Sequence, residues 1–176
     1  CSTTVGISAL APQPTANSGL CGGDSLYLFT NPPTIAMAGQ TIYTFRWFDP
    51  NGNFFSDQEN PVLVGIDASF QGNYRVVIRG ISGCEAEGIV QVNIEDLPIT
   101  PIITAPDQVC IGDIIPLAIE SSLTGNVNYR WYEGQAGAGT LLGTSIDPFF
   151  DVPAPHGSSG RRFYLEAEVN GCISAP

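Results

Sequence analysis

The only histidine of the sequence lies in one short segment with two serines that could act as nucleophiles. The single histidine, His156, stands in APHGSSGRR beside Ser158 and Ser159. A serine and a histidine together with a distant aspartate would give a nucleophile of the hydrolase type. The surrounding residues are typical of turns. We therefore expect a polar loop between strands here, and we assign no catalytic residue.

Two pairs of glutamates have the spacing of carboxylates that share one face of a strand. Glu85 and Glu87 lie in CEAEG, and Glu166 and Glu168 lie in LEAEV. Paired carboxylates perform acid–base chemistry in glycosidases. Residues two apart on a strand point to the same side of the sheet, and the simpler expectation for these pairs is the solvated side.

The segment YRWYEGQAGAGTLLG, residues 129–143, holds four glycines in ten residues. A phosphate-binding loop needs a strand before it and a helix after it, so that free amides meet the anion. The following TLLGTSIDPFF contains a glycine, a proline and no lysine, and its composition does not predict a helix. We predict that Gly134–Gly139 is the bend of a hairpin, where glycine supplies positive φ.

Metal ligands are present only as scattered carboxylates. The sequence contains no DxDxDG calcium loop. Six aspartates could instead bind calcium near the module ends or stabilise turns: Asp24, Asp49, Asp57, Asp67, Asp107 and Asp113. The cysteines are far apart and lack companion histidines, which argues against zinc. We predict neither a metal nor a cofactor.

The charge of the chain excludes two classes of partner. The formal net charge is −11, and all six basic residues are arginines. Such a chain would repel nucleic acid and anionic membrane surfaces. No apolar run approaches the length of a membrane span, and CSTTVGISAL lacks the features of a signal peptide. We expect a piece of a larger mature protein.

The elements that must position these side chains are strands. Runs of Val, Ile, Tyr, Phe and Thr alternate with Gly, Pro, Asn and Asp, as in YRVVIRGI, GIVQVNIED and RFYLEAEVNG. No long amphipathic helix is apparent. Many short strands with regular turns predict an all-β sandwich.

The chain also repeats itself. Cys21 and Cys110 each precede an apolar strand, FRW and YRW follow, and each half closes on a late cysteine, Cys84 or Cys172. The two cysteine spacings are 63 and 62 positions. Two modules of one plan therefore follow each other, joined by the proline-spaced LPITPIITAP at 97–106.

The order of cysteine, tryptophan and cysteine is similar to that of the immunoglobulin sandwich. Trp47 and Trp131 should fill the two cores, together with Tyr74 and Tyr164. The late cysteines lie beyond the strand that holds them in antibody-type domains. We therefore expect disulfides that clamp one end of each sandwich, Cys21–Cys84 and Cys110–Cys172, and an oxidising compartment.

The motifs CIGD, YRWYEGQAGAGTLLGTS and FYLEAEVNGC of the second half, with LCGGDSLYL and GNYRVVIRGISGC of the first, resemble a known family. These are the tandem Ig-like modules of surface and secreted proteins of gliding Bacteroidota, exported by the type IX secretion system. The resemblance implies an adhesin or stalk segment on the extracellular cell surface, and it brings no catalytic residues.

The expected domain organisation follows from the repeat. Residues 1–12 resemble the last strand of a preceding module, residues 13–98 form the first module, and residues 99–176 form the second with its last strand incomplete. A strand at residues 2–10 could complete the second module of another copy. This would give a head-to-tail contact between chains.

The leading functional hypothesis is a non-enzymatic stalk or adhesive repeat whose partners are neighbouring modules of the same chain. One alternative is a module that binds a surface glycan or protein through exposed aromatics, for which the candidates are Phe54, Phe55, Phe149 and Phe150, half of each pair being expected in the core. Others are an accessory module of a secreted enzyme and a donor-strand fibre subunit.

Overall fold

Short strands make up the chain, as the alternating sequence predicts. The computed structural model describes residues 11–33, 43–80, 83–120, 123–154 and 160–176. The chain divides into two units, Cys1–Asp96 and Leu97–Pro176, beside the boundary expected after residue 98. A three-residue 3₁₀ turn is the only helical element in the described ranges, and none of their helices is long and apolar enough to cross a membrane.

The described residues of the first unit form nine strands and the 3₁₀ turn Ala68–Phe70. The strands are β1 Thr15–Ala16, β2 Leu20–Cys21, β3 Ser25–Phe29, β4 Tyr43–Phe48, β5 Phe54–Ser56, β6 Val62–Val64, β7 Gly72–Gly80, β8 Glu85–Val92 and β9 Ile94–Glu95. One sheet has the order β1-β3-β6 and the other β5-β4-β7-β8, while β2 pairs with β9 in parallel. All other pairings in this unit are antiparallel.

Alternation along the strands builds the core of the first unit. Every second residue of β4 and β7 points inward, so that Trp47 and Tyr74 are almost completely buried. The Trp47 indole donates to the carbonyl of Glu59 at 3.3 Å. The Tyr74 hydroxyl donates to the carbonyl of Phe70 at 2.9 Å, which ties β7 to the 3₁₀ turn. Burial and, second, the charge of Asp49 raise the pKa of Tyr74 to about 12.

The N-terminal segment of the described chain packs against β8. Pro12 is fully buried, and a side chain at Gly88 would lie 2.6 Å from the Pro12 carbonyl oxygen and 2.5 Å from Pro14. The structure therefore packs Pro12 with the first unit, whereas the sequence analysis placed it in a preceding module.

The second unit repeats this plan, and its described residues form seven strands. They are β10 Ile103–Thr104, β11 Ile114–Ile119, β12 Val127–Glu133, β13 Thr140–Ser145, β14 Phe149–Pro153, β15 Phe163–Val169 and β16 Cys172–Ile173. The sheets have the orders β10-β11-β14 and β13-β12-β15-β16. Trp131 is completely buried among the core residues of this unit, and its indole donates to the Ser145 hydroxyl at 3.0 Å.

Tyr164 does not occupy the core position expected for it. Trp131 pairs with Leu165, and Leu165 faces the core, so Tyr164 points to the other side of β15. In the first unit Trp47 pairs with Val76, which makes Phe163 the counterpart of Tyr74. The assignment of Tyr164 was wrong by one residue, and a shift of one residue changes the face of a strand.

The predicted disulfide pairing is also wrong. Cys84 and Cys110 are exposed free thiols, whereas Cys21 and Cys172 are each disulfide-bonded. Cys21 lies beside Glu95, past the far end of β8, and Cys84 immediately precedes the first residue of that strand. At roughly 3.3 Å per residue, about ten residues separate these positions by roughly 30 Å, and a disulfide needs Cα atoms within about 7 Å.

The same reason excludes the bridge predicted for the second unit. The turn after Cys110 is bonded to Ala154 through Gly112, at the end of the sandwich where β15 begins. Cys172 pairs with Val169, where β15 ends. The early and the late cysteine of each module therefore lie at opposite ends of its sandwich.

The two exposed thiols should react in the folded protein. We expect iodoacetamide to modify Cys84 and Cys110 under native conditions, because both are exposed and free. Cys172, which is buried and disulfide-bonded, should be modified only after reduction and unfolding. Peptide mass spectrometry measures both reactions. A peptide in which Cys21 is linked to Cys84 would contradict the structure.

An ion pair joins the end of β12 to the start of β15. Arg161 donates from Nε and Nη2 to the two carboxylate oxygens of Glu133, each at 2.6 Å. It also donates from Nη1 to the carbonyl of Pro153 at 2.7 Å. The hydrogen bonds from Arg161 hold the pKa of Glu133 below its ordinary value.

The Arg161→Ala substitution should therefore destabilise the second unit in a pH-dependent way. A carboxylate with a lowered pKa contributes stability above its ordinary pKa, and loses that contribution as the pH falls through the lowered value. We expect a loss of about 1 kcal/mol at neutral pH that shrinks in acid. Urea unfolding at several pH values measures it, with the exposed neighbour Arg162→Ala as control. A loss that stays constant down to strongly acidic pH would contradict the role of Glu133.

Candidate functional site: an arginine-lined sheet face

The glycine-rich segment is a hairpin bend. Gly134–Gly139 connects the antiparallel strands β12 and β13, and Gly137 has a φ of 76°. The amide of Gly134 donates to the carbonyl of Arg162 at 2.9 Å, and that of Gly139 to the Tyr164 hydroxyl at 3.2 Å. Because these amides have protein partners and a strand follows, the segment lacks the geometry of a phosphate loop. His156, Ser158 and Ser159 lie outside the described residues.

The aspartates considered as metal ligands are placed separately. Asp24, Asp49 and Asp67 accept hydrogen bonds from nearby backbone amides, and these bonds lower the pKa of Asp49 and, with the Ser69 hydroxyl, that of Asp67. Asp49 is half-buried, and the other five aspartates are exposed. Within the described ranges, no three His, Cys, Asp or Glu side chains gather in a group that could hold a metal ion.

The four aromatic candidates divide into two exposed and two packed rings. Phe55 meets Tyr74 edge-on at 5.9 Å, and Phe150 stacks on Trp131 at 5.7 Å. Phe54 and Phe149 are 52% and 59% exposed. Adjacent strand residues face opposite ways, so each pair supplies one ring to the core and one to the surface.

Phe54 belongs to a larger group on the outer face of the sheet β5-β4-β7-β8. We call the group the arginine face, and its members are Arg46, Phe48, Phe54, Arg75 and Arg79. These positions alternate with the core residues of β4 and β7, which explains why they face outward. Phe48 pairs with Phe54 on one side and with Arg75 on the other.

Two guanidinium groups approach the Phe48 ring. The Arg75 Cζ atom lies 4.1 Å from the ring centroid and the Arg46 Cζ atom 5.3 Å. Arg46 also lies 5.8 Å from the Phe54 centroid, and the two rings meet edge-on at 6.1 Å. Cation–π contacts of this kind orient a guanidinium without consuming its N–H donors.

Two exposed glutamates of β8, Glu85 and Glu87, lie on the same face as the three arginines and offset part of their charge, Glu85 being opposite Arg79 in the strand register. Arg75 pairs with Glu87 at 3.2 Å, and that pair is largely solvent-exposed. Arg46 and Arg79 are exposed, and neither forms a salt bridge to another described residue. Half of the six arginines of a chain with net charge −11 thus lie on one sheet face.

The equivalent face of the second unit has the opposite balance. The strand registers align Arg46 with Arg130, and they align Arg75, Val77 and Arg79 with Tyr164, Glu166 and Glu168. Arg130 donates to Glu168 at 2.6 Å, a hydrogen bond that raises the pKa of Arg130.

The tyrosines of this second face are also engaged. Tyr132 donates to Glu166 at 3.0 Å and stacks on Tyr164 at 4.6 Å. Burial and, second, the Glu166 hydrogen bond raise the pKa of Tyr132. On the second face Arg130 and Tyr132 each donate to a glutamate, whereas among the described residues Arg75 is the only arginine of the arginine face with a carboxylate partner.

Alternation in FRW and YRW places Arg46 and Arg130 outward, one position from the buried tryptophans, whereas the other members of the arginine face were not predicted. The signal was present in GNYRVVIRG, where Arg75 and Arg79 alternate with Tyr74, Val76 and Ile78. The sequence does not show how β4 pairs with β5 and β7, and this pairing brings Phe48, Phe54 and Arg75 side by side.

Comparison with known proteins supports an Ig-like fold. Residues 98–176 match the family model "Ig-like domain CHU_C associated", which supports the resemblance to Ig-like modules of Bacteroidota-type proteins. A search of curated proteins finds no match. The matches indicate no enzymatic family.

Two solved structures align with nearly the whole chain. Domains A168-A170 from titin align with a TM-score of 0.52 at 14% identity, covering 95% of this chain and 63% of that one. The three N-terminal domains of the bacteriophage RB49 Highly Immunogenic Outer Capsid protein (Hoc) align with a TM-score of 0.51 at 11% identity, covering 94% and 57%. The chain thus spans less than two thirds of either. At these identities the likeness concerns the fold alone: all-β and Ig-like.

Proposed function

We propose that this chain is a non-enzymatic adhesive or stalk repeat of a bacterial protein that acts on the cell surface, exported by the type IX system. The observation that carries the proposal is the pair of Ig-like sandwiches, the second of which matches a CHU_C-associated family model. Modules of this class act by spacing and presenting a contact surface.

The surface chemistry supports the same role. The net charge of −11 and the absence of lysine give copies of the module mutual repulsion, which limits their association at high surface density. An adhesive contact then has to come from a local surface whose charge differs from that of the whole.

Labelling of intact cells that produce the protein tests this function. An antibody raised against the purified chain should bind these cells without permeabilisation, and external protease should remove the epitope. An excess of the soluble chain should reduce their attachment to a surface they colonise. An epitope that appears only after permeabilisation would contradict a surface role.

We further propose strand exchange between copies of the chain. The donor strand, residues 2–10, lies outside the described residues. Its acceptor would be β15, whose edge pairs with β16 only at Glu168 and Val169 and is extended by the bond from Ser174 to Ala167. From Phe163 to Glu166, no described strand pairs with this edge.

Sedimentation velocity of the whole chain and of a variant lacking residues 1–10 tests the exchange. The truncation keeps Pro12, which is part of the first core. We expect concentration-dependent association of the whole chain only. If both proteins sediment as monomers at high concentration, strand exchange does not occur.

A further inference from the structure

We propose that the arginine face of the first unit binds an acidic polysaccharide, specifically a chain of uronate sugars. The inference rests on the proposed extracellular role and names the ligand class that the surface would contact. Its basis is the arrangement of Arg46, Arg75, Phe48 and Phe54 on one sheet face.

The guanidinium groups match the carboxylates of such a ligand. Arg46 and Arg75 are both oriented against the Phe48 ring. The edges of their planar guanidinium groups hold the N–H donors, in a fork that suits a carboxylate. Arg75 has one exposed partner, Glu87, which a ligand carboxylate could replace at small cost because exposed ion pairs are weak. Arg79 lies further along β7, where the exposed Glu85 across the strand partly offsets its charge, so Arg46 and Arg75 carry most of the attraction.

The aromatic rings match the apolar face of a sugar ring. Phe54 is 52% exposed, and it lies beside the partly buried Phe48. An apolar ring in water favours contact with the C–H face of a pyranose, since that contact removes apolar surface from solvent. A uronate carries a carboxylate and such a face in one residue, so it satisfies the arginines and the rings together.

The second unit serves as an internal comparison. At the aligned positions of its sheet, two glutamates replace Val77 and Arg79, and Arg130 is already bonded to Glu168. The excess of carboxylate there would repel a polyanion. We therefore assign binding to the first unit alone, although both units share one fold.

Binding of polygalacturonate to the whole chain, measured by biolayer interferometry, tests the proposal. Loss of charge in Arg46→Ala/Arg75→Ala should weaken binding at least about tenfold, since two charge-assisted contacts disappear. The matched control Arg130→Ala should change it less than about twofold, because that guanidinium is already paired. Binding should also weaken as ionic strength rises.

A charge-neutral variant and two other polymers separate stacking from charge. Phe54→Ala keeps all three arginines and should weaken binding about threefold or more. Poly-L-glutamate, which has carboxylates without sugar rings, should bind more weakly than polygalacturonate, and neutral dextran should not bind. Thermal unfolding midpoints should show that every variant is folded.

The opposite results would overturn the inference. They are equal binding of poly-L-glutamate, binding of dextran, an equal loss in Arg130→Ala, or no binding of polygalacturonate. If the soluble chain still blocks cell attachment while polygalacturonate fails to bind, the uronate ligand is wrong and the adhesive function stands. If the cell-surface epitope is absent but binding of polygalacturonate depends on the arginines, the uronate ligand stands and the cell-surface function is wrong.

Discussion

Replacing Trp131 by alanine should lower the free energy of unfolding of the second unit by about 3–5 kcal/mol. The indole is completely buried, stacks on Phe150 and donates to Ser145. Alanine would leave a large cavity between the two sheets and remove the indole donor from the Ser145 hydroxyl, which still donates to the Asp147 carbonyl at 2.8 Å. Trp47→Ala should have an effect of the same size in the first unit, where the indole is equally buried.

Urea unfolding followed by circular dichroism measures the effect of Trp131→Ala. Leu141→Ala is the matched control, because Leu141 is on the neighbouring strand β13 and is 50% exposed; it should change the unfolding free energy by less than about 1 kcal/mol. An unchanged midpoint for Trp131→Ala would mean that the second unit is not organised around this residue.

Gly88→Ala should destabilise the first unit by about 1–3 kcal/mol, the usual cost of inserting an atom into a packed site. The new Cβ atom would lie 2.5 Å from Pro14 and 2.6 Å from the Pro12 carbonyl oxygen. Because β8 pairs with β7 along its whole length, we expect the segment 11–14 to move away from the new Cβ atom, and β8 to stay in place. That segment would then be released from the core it helps to cover.

Limited proteolysis with mass spectrometry detects the release, and urea unfolding measures its cost. Gly88→Ala should be cut near its N-terminus faster than the unmodified chain. Gln91→Ala, an exposed position on the same strand, should behave like the unmodified chain in both experiments. Equal protection of Gly88→Ala would show that the N-terminal segment does not pack at this site.

The local pattern of the sequence was sufficient to predict the sandwich and its centre. Alternation in FRWF and YRWY places Trp47 and Trp131 inward and their arginine neighbours outward, because successive strand side chains face opposite sides. The same local logic separates the hairpin bend at Gly134–Gly139 from a phosphate loop. These features depend on residues close together in the chain.

Tertiary structure decided what depends on distant pairing. The early and the late cysteine of each module lie at opposite ends of its sandwich, because the strands between them run the length of the sheet. Tyr164 was expected in the core, but the register of β15 with β12 places its neighbour Leu165 there and turns Tyr164 to the outer face. The exposure of Phe54 but not Phe55 follows from the partner strand β4.

The arginine face shows the division most clearly. Alternation with buried neighbours points Arg46, Arg75 and Arg79 away from the core, but the sequence predicted no common surface for Arg75 and Arg79. Only the antiparallel pairing of β4 with β7 put Phe48 beside Arg75 and Arg46 beside both aromatic rings. Alternation is a property of one strand, whereas a surface that could bind a ligand needs the register of several strands, and residues far apart in the chain set that register.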